Sequence, residues 1–299
     1  MDSLGLTSIF LACVDAGSFS GAGRRLNLSR SSVGKAVARL ETQMSVRLFH
    51  RTTRSQSLTE DGQLYYDHAR RAMSELEAAR NALASGRREP SGTLRVSAPL
   101  TLGRHVIAPL IVRLAATYPQ LKVSMSFADR PVDLIDEGYD LTVRIGPTTD
   151  SSSIAGRRIG RQSMKICGAP SYLARRGKPE AYGDLEAHEL LLYGRAGAAR
   201  GWGLPGGQQQ VQILRSVGRV RFDDLDALAD AAAAGFGLAR LPSWLVKSRI
   251  EAGELVEVLP QDDRSTYDIM LLWPKGPQMA LRVRRAIDLL AAEMPAALR

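Results

Sequence analysis

One short stretch constrains this chain more than any other. Val33, Val37, Leu40 and Met44 recur at i, i+4, i+7 and i+11, the spacing of one buried stripe on an α-helix. The opposite face carries Ser31, Gly34, Lys35, Ala38 and Thr42, flanked by Ser32 and Arg39. A helix of this make buries one side against its own chain and leaves a small, polar, cationic side for something else. Small residues let a helix approach base edges, and Arg or Lys reaches guanine or phosphate.

The flanking sequence supplies the frame. Leu6, Ile9, Phe10, Cys13 and Val14 follow helical spacing, and Gly17 stops that helix. Ser18 or Ser20 caps a short second helix carrying Ala22 and Leu26. Asn27-Leu28 reads as a tight turn, and Ser29 caps the third helix. Helix, turn and helix with such an outer face read as a helix-turn-helix. Residues 48–54 and 57–59 then read as two short strands around a basic turn, a wing. Between Phe19 and Arg54 there are eight basic residues and one acid, Glu41, a local excess of +7 against +9 for the whole chain. Such clustering is the footprint of a phosphate-binding surface. Arginine's excess over lysine favours bidentate phosphate contacts, although a base composition rich in Ala and Gly codons yields the same ratio.

From Gly62 to about Ser85 there is no proline or interior glycine. Tyr65, Ala69, Ala72, Leu76, Ala79 and Leu83 repeat with alternating spacings of 4 and 3, a heptad seam. The seam predicts one long helix, packed either on its own domain or, as its narrowness favours, on a second chain. Arg87-Arg88-Glu89-Pro90-Ser91-Gly92 is polar, with Pro and Gly, and marks a domain boundary. Beyond it strands alternate with helices. Strands are expected at 94–97, 122–127, 140–145, 164–167, 219–222, 238–241 and 268–273. Helices are expected at 99–117, 132–137, 225–234, 244–252 and 281–293. The pattern is α/β with largely parallel sheets, which bind ligands beyond the carboxyl ends of their strands.

Several function classes are disfavoured. Cys13 and Cys167 are far apart, the four histidines His50, His68, His105 and His188 are scattered, and no His-Glu-x-x-His occurs. Neither a disulfide framework nor a metal centre is expected, and no cofactor is. There is no Gly-x-x-x-x-Gly-Lys-Ser/Thr loop and no Gly-x-Ser-x-Gly elbow. Gly235-Phe236-Gly237 lacks a third glycine and precedes a strand. An enzyme on the α/β half is therefore the weakest reading, and an architectural DNA-binding protein without a ligand the second alternative. The start of the chain lacks a signal-peptide pattern, and the apolar run 231–239 is too short to span a bilayer. A soluble, cytoplasmic protein with no membrane partner is expected.

Gly17-Ser18-Phe19-Ser20-x-Ala22, Leu26, Ser29, Val33, Leu40-Glu41, Leu48-Phe49-x-Arg51-x-x-Arg54 and Leu58-Thr59-x-x-Gly62 resemble the N-terminal signature of the LysR-type transcriptional regulators. Ser97-Ala98-Pro99, Tyr118-Pro119, Gly138-Tyr139-Asp140-Leu141, Gly235-x-Gly237 and Leu241-Pro242 extend the likeness along nearly the whole chain. The resemblance implies a winged helix-turn-helix domain at 1–61, a dimerising linker helix at 62–88, and an effector domain at 89–299. That effector domain is of periplasmic-binding-protein type, an α/β fold with lobe I at about 92–161 and 268–299 and lobe II at about 162–267. The crossovers are expected near 160–163 and 265–267. It further implies a homodimer or homotetramer that binds operator DNA and takes a small-molecule effector between the lobes. Two positions depart from the family pattern. Gly34 stands where serine is frequent, and Ser45, before Val46, stands where glycine is frequent.

These readings nominate residues. Arg30, Ser31, Ser32, Lys35 and Arg39 are expected in the major groove, with Arg51 and Arg54 holding the backbone at the wing. For the effector, Pro99, Leu100 and Thr101 open a helix whose backbone N–H groups suit an anion. Arg144, Ile145, Gly146 and Pro147 end another strand on the same cleft, by family analogy. Trp202, in a Gly-rich stretch, is expected as a wall of the cleft or as plain core, and Phe222 and Asp223 as further contacts. An organic carboxylate is the expected class of effector.

Overall fold

The computed structural model describes residues 3–51, 56–85, 89–148, 151–194, 202–205, 211–214, 219–259, 266–276 and 279–298. The first unit packs α1 (Ser3–Ala16), α2 (Phe19–Leu26) and α3 (Arg30–Met44) around Leu6, Phe10, Val33, Val37, Leu40 and Leu48. Ser18 is the serine that caps α2, accepting the Gly21 N–H. Asn27 takes the left-handed turn at φ 54°, and Ser29 caps α3 through the Ser32 N–H. Two apolar positions depart from expectation. Met44 is 38% exposed and Leu26 is 37% exposed, because both lie in the last turn of their helices, where the chain leaves the core. Ala36 and Glu41 complete the buried side of α3 instead.

A two-stranded wing follows, β1 (Phe49–Arg51) and β2 (Gln56–Leu58), antiparallel with Phe49 opposite Leu58. Helix α4 (Glu60–Ser85) then runs out from the domain. Its first turns return to α1: Tyr65 packs on Phe10, with ring centroids 5.2 Å apart, and meets the Thr7 hydroxyl at 2.7 Å. Ala69 is buried, whereas Ala72 and Leu76 face outward. The heptad seam is thus divided. Tyr65 serves the chain's own N-terminal domain, Ala69 is buried, and exposure begins at Ala72. The side chains of Ala79 and Leu83 lie outside the described residues.

The remainder is a nine-stranded sheet with helices, in two lobes. Lobe I is built on β3 (Gly92–Ala98), β4 (Leu121–Phe127) and β5 (Leu141–Ile145). They are covered by the continuous helix Leu100–Thr117, made of α5 (Leu100–Leu102), a π turn and α6 (Ala108–Thr117), and by α10 (Leu281–Ala297). Lobe II holds β7 (Leu190–Tyr193), β10 (Arg221–Phe222), β11 (Leu238–Pro242) and β12 (Val256–Val258) with α7 (Pro170–Arg176), α8 (Leu225–Ala233) and α9 (Ser243–Glu251). Here both faces of the sheet are buried. Leu190 and Leu192 enter one cluster and Leu191 the other, which explains an unbroken apolar run in place of alternation.

One strand joins the lobes. β6 (Ile154–Gly168) pairs with β13 (Thr266–Pro274) as far as Ser163, then with β11 from Met164 onward. Both β6 and β13 run antiparallel to their neighbours, so the sheet is mixed, not largely parallel. Turns at 134–138 take the place of the helix expected at 132–137. One Gly-x-Gly-x-x-Gly spacing does occur, at 201–206. Within it Trp202–Pro205 is strand β8, which pairs antiparallel with β9 (Val211–Leu214). A dinucleotide loop turns into a helix, so the spacing here is incidental.

Ser45 closes α3 at φ 56° and ψ 26°. A left-handed conformation costs a non-glycine residue about 1–2 kcal/mol, partly offset in glycine by its greater unfolded-state freedom. Ser45→Gly is expected to stabilise the N-terminal domain by about 0.5–1 kcal/mol. A thermal melt with an unchanged or lower midpoint would contradict this account of the turn.

Candidate functional site

The outer face of α3 is open. Arg30, Ser31, Ser32, Lys35, Arg39 and Thr42 are exposed, and a Cβ built on Gly34 would meet no atom within 4 Å. Among the described residues no carboxylate engages Arg30, Lys35 or Arg39 in an ion pair, so their charge is directed outward. Ser29 Oγ lies 2.9 Å from Ser31 Oγ and 2.8 Å from Ser32 Oγ. The three hydroxyls form a polar cluster at the helix start, where the macrodipole favours anions. Arg51 ends β1, but its side chain lies outside the described residues, as does the whole of Arg54.

The wing is tied to this helix by Glu41, which is only 5% exposed. Its Oε1 accepts the backbone N–H groups of Leu48 (2.9 Å) and Phe49 (3.3 Å), and Arg47 lies 3.5 Å from Oε2. Thr59 fastens the far side, donating to the Arg47 carbonyl and accepting the Gly62 N–H. At Gly62 a Cβ would sit 1.9 Å from the Leu48 carbonyl oxygen, so only glycine lets α4 approach the wing. These contacts give the Leu40-Glu41 and Leu58-Thr59-x-x-Gly62 motifs a physical purpose. They fasten the start of the wing to α3 and to α4.

The second candidate site lies between the lobes. Pro99 and Thr101 are buried and Leu100 is half-buried at the carboxyl end of β3. At this helix start the Leu100 N–H donates to Asp129 Oδ1 at 3.1 Å. Asp129 also lies near enough to Tyr193 of lobe II for its charge to act on that phenol. Burial, and then the Asp129 carboxylate, push the Tyr193 phenol far above its usual range. Phe222 stands beside Tyr193 in the β10–β7 pairing and is exposed, as is Asp223. A bridge joins the lobes where His105 Nε2 lies 3.0 Å from both Asp226 oxygens.

At the end of β5, Arg144 Nη1 donates to the Ala128 carbonyl at 3.1 Å. Its Nη2 is buried with no hydrogen-bond partner among the described residues. Burial lowers the Arg144 pKa from its ordinary value. Thr142 lies two residues earlier on the same face of β5, abreast of Ser97 in the pairing. Both hydroxyls are buried and unpartnered among the described residues. Ile145 is half-buried, Gly146 is buried at φ 92°, and Pro147 is exposed.

Trp202 does not wall this cleft. It is 6% exposed in a core cluster of lobe II, and its Nε1–H donates to the Leu191 carbonyl at 3.2 Å. Asp129, Tyr193, His105 and Asp226 were not legible in the sequence. They meet only through the fold, His105 and Asp226 being 121 positions apart.

Two family models match the chain. The model described as "Bacterial regulatory helix-turn-helix protein, lysR family" covers residues 4–63, and "LysR substrate binding domain" covers residues 87–295. The chain is 34% identical to the probable HTH-type transcriptional regulator LtrA of Klebsiella pneumoniae, over 97% of this chain and 94% of that one. It is 33% identical to the HTH-type transcriptional activator AaeR of Escherichia coli K12, covering 96% and 93% respectively. The solved structure of CrgA, a LysR-type transcriptional regulator from Neisseria meningitidis, superposes with a TM-score of 0.61 at 27% identity, covering 98% and 99%.

Glu41→Ala leaves two buried backbone donors unsatisfied, a loss of about 2–3 kcal/mol. Chemical denaturation is expected to show that loss, with part of it restored in Glu41→Gln. A loss below about 0.5 kcal/mol would remove Glu41 from the wing's support.

Proposed function

The chain belongs to the LysR family of transcriptional regulators, and from that premise we propose how its parts divide the work. Residues 1–61 form the DNA-binding domain, 62–88 the linker helix and 89–299 the effector domain. Lobe I takes about 92–161 and 268–299, and lobe II about 162–267. The protein is a DNA-binding transcriptional regulator with an effector-binding domain, and not an enzyme. It acts in the cytoplasm, on operator DNA, as a homodimer or a homotetramer. The α4 surface that begins at Ala72 and Leu76 is the portion of the seam left for a second copy.

The observation that carries this reading is the division of α3. Val33, Val37 and Leu40 are buried while Arg30, Lys35 and Arg39 are exposed without carboxylate partners among the described residues. Arg30, Ser31, Ser32, Lys35 and Arg39 enter the major groove, and Arg51 and Arg54 hold the backbone. Bidentate base contacts discriminate by about 1–3 kcal/mol each, whereas phosphate contacts add affinity without sequence information. Lys35→Ala is expected to weaken operator binding about tenfold or more and random-sequence DNA by less than about threefold. Equal losses on both DNAs in a gel shift would reject base reading by Lys35.

The effector is a small organic acid held in the cleft. Arg144 Nη2 supplies its cation, supported by the unpaired Ser97 and Thr142 hydroxyls on the same face. Pro99, Leu100, Thr101, Ile145, Gly146 and Pro147 shape lobe I's wall, and Phe222 and Asp223 face them from lobe II. Binding changes the lobes' orientation and hence the spacing of paired DNA-binding domains. A ligand shifts such an equilibrium only by its differential affinity for the two arrangements. In a calorimetric screen of small carboxylic acids, Arg144→Gln is expected to abolish the binding that wild type shows. Retained acid binding, or binding by neutral compounds alone, would overturn the assignment.

A further inference from the structure

The connection between β4 and β5, residues 128–140, touches the cleft at one end and the linker helix at the other. At its start the Ala128 carbonyl accepts Arg144, and Asp129 accepts the Leu100 N–H while its charge acts on Tyr193 of lobe II. Near its end Gly138 turns at φ 77° beneath Arg71 of α4. A Cβ there would lie 2.9 Å from Arg71 Nε and 3.2 Å from its Cδ. Arg71 therefore rests directly on the loop's backbone. On the same helix the preceding residue Arg70, and Tyr66 one turn before it, both bind Asp15 of α1, at 2.6 and 3.0 Å.

Between these ends the loop is internally braced. Arg130 grips Glu137 with two bonds of 2.7 and 2.6 Å. Glu137 Oε1 also accepts the Asp133 N–H at 3.1 Å. Asp133 Oδ1 accepts the N–H groups of Ile135 (2.9 Å) and Asp136 (2.8 Å). Leu134 is buried beneath, and Asp140 closes the loop by accepting the Arg95 N–H. These bonds tie Arg130, next to Asp129, to Glu137, next to Gly138.

We propose that residues 128–140 are the rigid link through which the state of the cleft reaches the DNA-binding domain, by way of Gly138 on Arg71 and α4 on Asp15. The link rests on the reading of the cleft as the effector site and assigns it a route of regulation. Spatial continuity alone does not establish coupling, which is a free energy shared between two positions. A double-mutant cycle reads that energy directly.

The cycle compares wild type, Asp129→Asn, Arg71→Ala and the double variant, with circular dichroism melts to certify folding. Each full-length protein is titrated by fluorescence anisotropy against a duplex selected by wild type from a random-sequence pool. Asp129→Asn is expected to change affinity about fivefold when Arg71 is present, and less than 1.5-fold when it is absent, the size of a typical coupling. An equal factor in both backgrounds would overturn the link and leave the regulator reading intact. Failure of wild type to enrich any sequence would overturn that reading, and the link with it. Should Arg71→Ala unfold, hydrogen exchange of α4 in Asp129→Asn decides the matter. Faster exchange around Arg71 supports the link, and unchanged exchange overturns it.

Discussion

The whole molecule hangs on how α3 is split between its two sides. Val33, Val37 and Leu40 lock it to α1 within the core of the N-terminal domain, and that anchorage leaves the cationic side nowhere to go but outward. Glu41 converts the helix into a combined surface. The one acid in a strongly basic segment is buried, and it accepts the first backbone donors of the wing. Had it been exposed, it would have offset the charge that the DNA backbone requires. Placed inside, it leaves the outer potential positive and fixes the wing beside the helix.

The effector half works on a different principle. Its two lobes have separate cores, and β6 passes through both by changing partners at Ser163 and Met164. That one strand carries a continuous sheet from one core to the other. Polar contacts and the packing of Trp244 from α9 against His105 and the lobe I core join the lobes. Asp129 with Tyr193 and His105 with Asp226 are partly exposed pairs of modest strength. Such contacts suit an interface that a ligand has to alter with limited binding energy.

The periodicities were the reliable part of the sequence. They located α1, α3, α4, β3, β5, α8 and α10, since each keeps one face against a core over several turns or residues. What failed did so for local reasons. Met44 and Leu26 fit their stripes but fall in the last turns of their helices. Residues 132–137 have helical composition, yet Asp133 and Glu137 spend their carboxylates on backbone N–H groups of a tight turn. Leu190–Tyr193 was missed because a strand buried on both faces shows no alternation. A heptad seam does not say which partner each residue meets, and Tyr65 meets its own α1.

The sequence by itself determined the helix-turn-helix, its cationic face, the long helix after the wing and the α/β class, because those follow from spacing within short segments, while its motifs carried the resemblance to the family. Only the tertiary structure decided what fills the cleft. Asp129 sits on the Leu100 N–H, Tyr193 reaches across from the other lobe, and Trp202 is drawn into a core instead. These contacts join residues scores of positions apart, and no local pattern encodes the meeting of side chains that chain connectivity leaves independent.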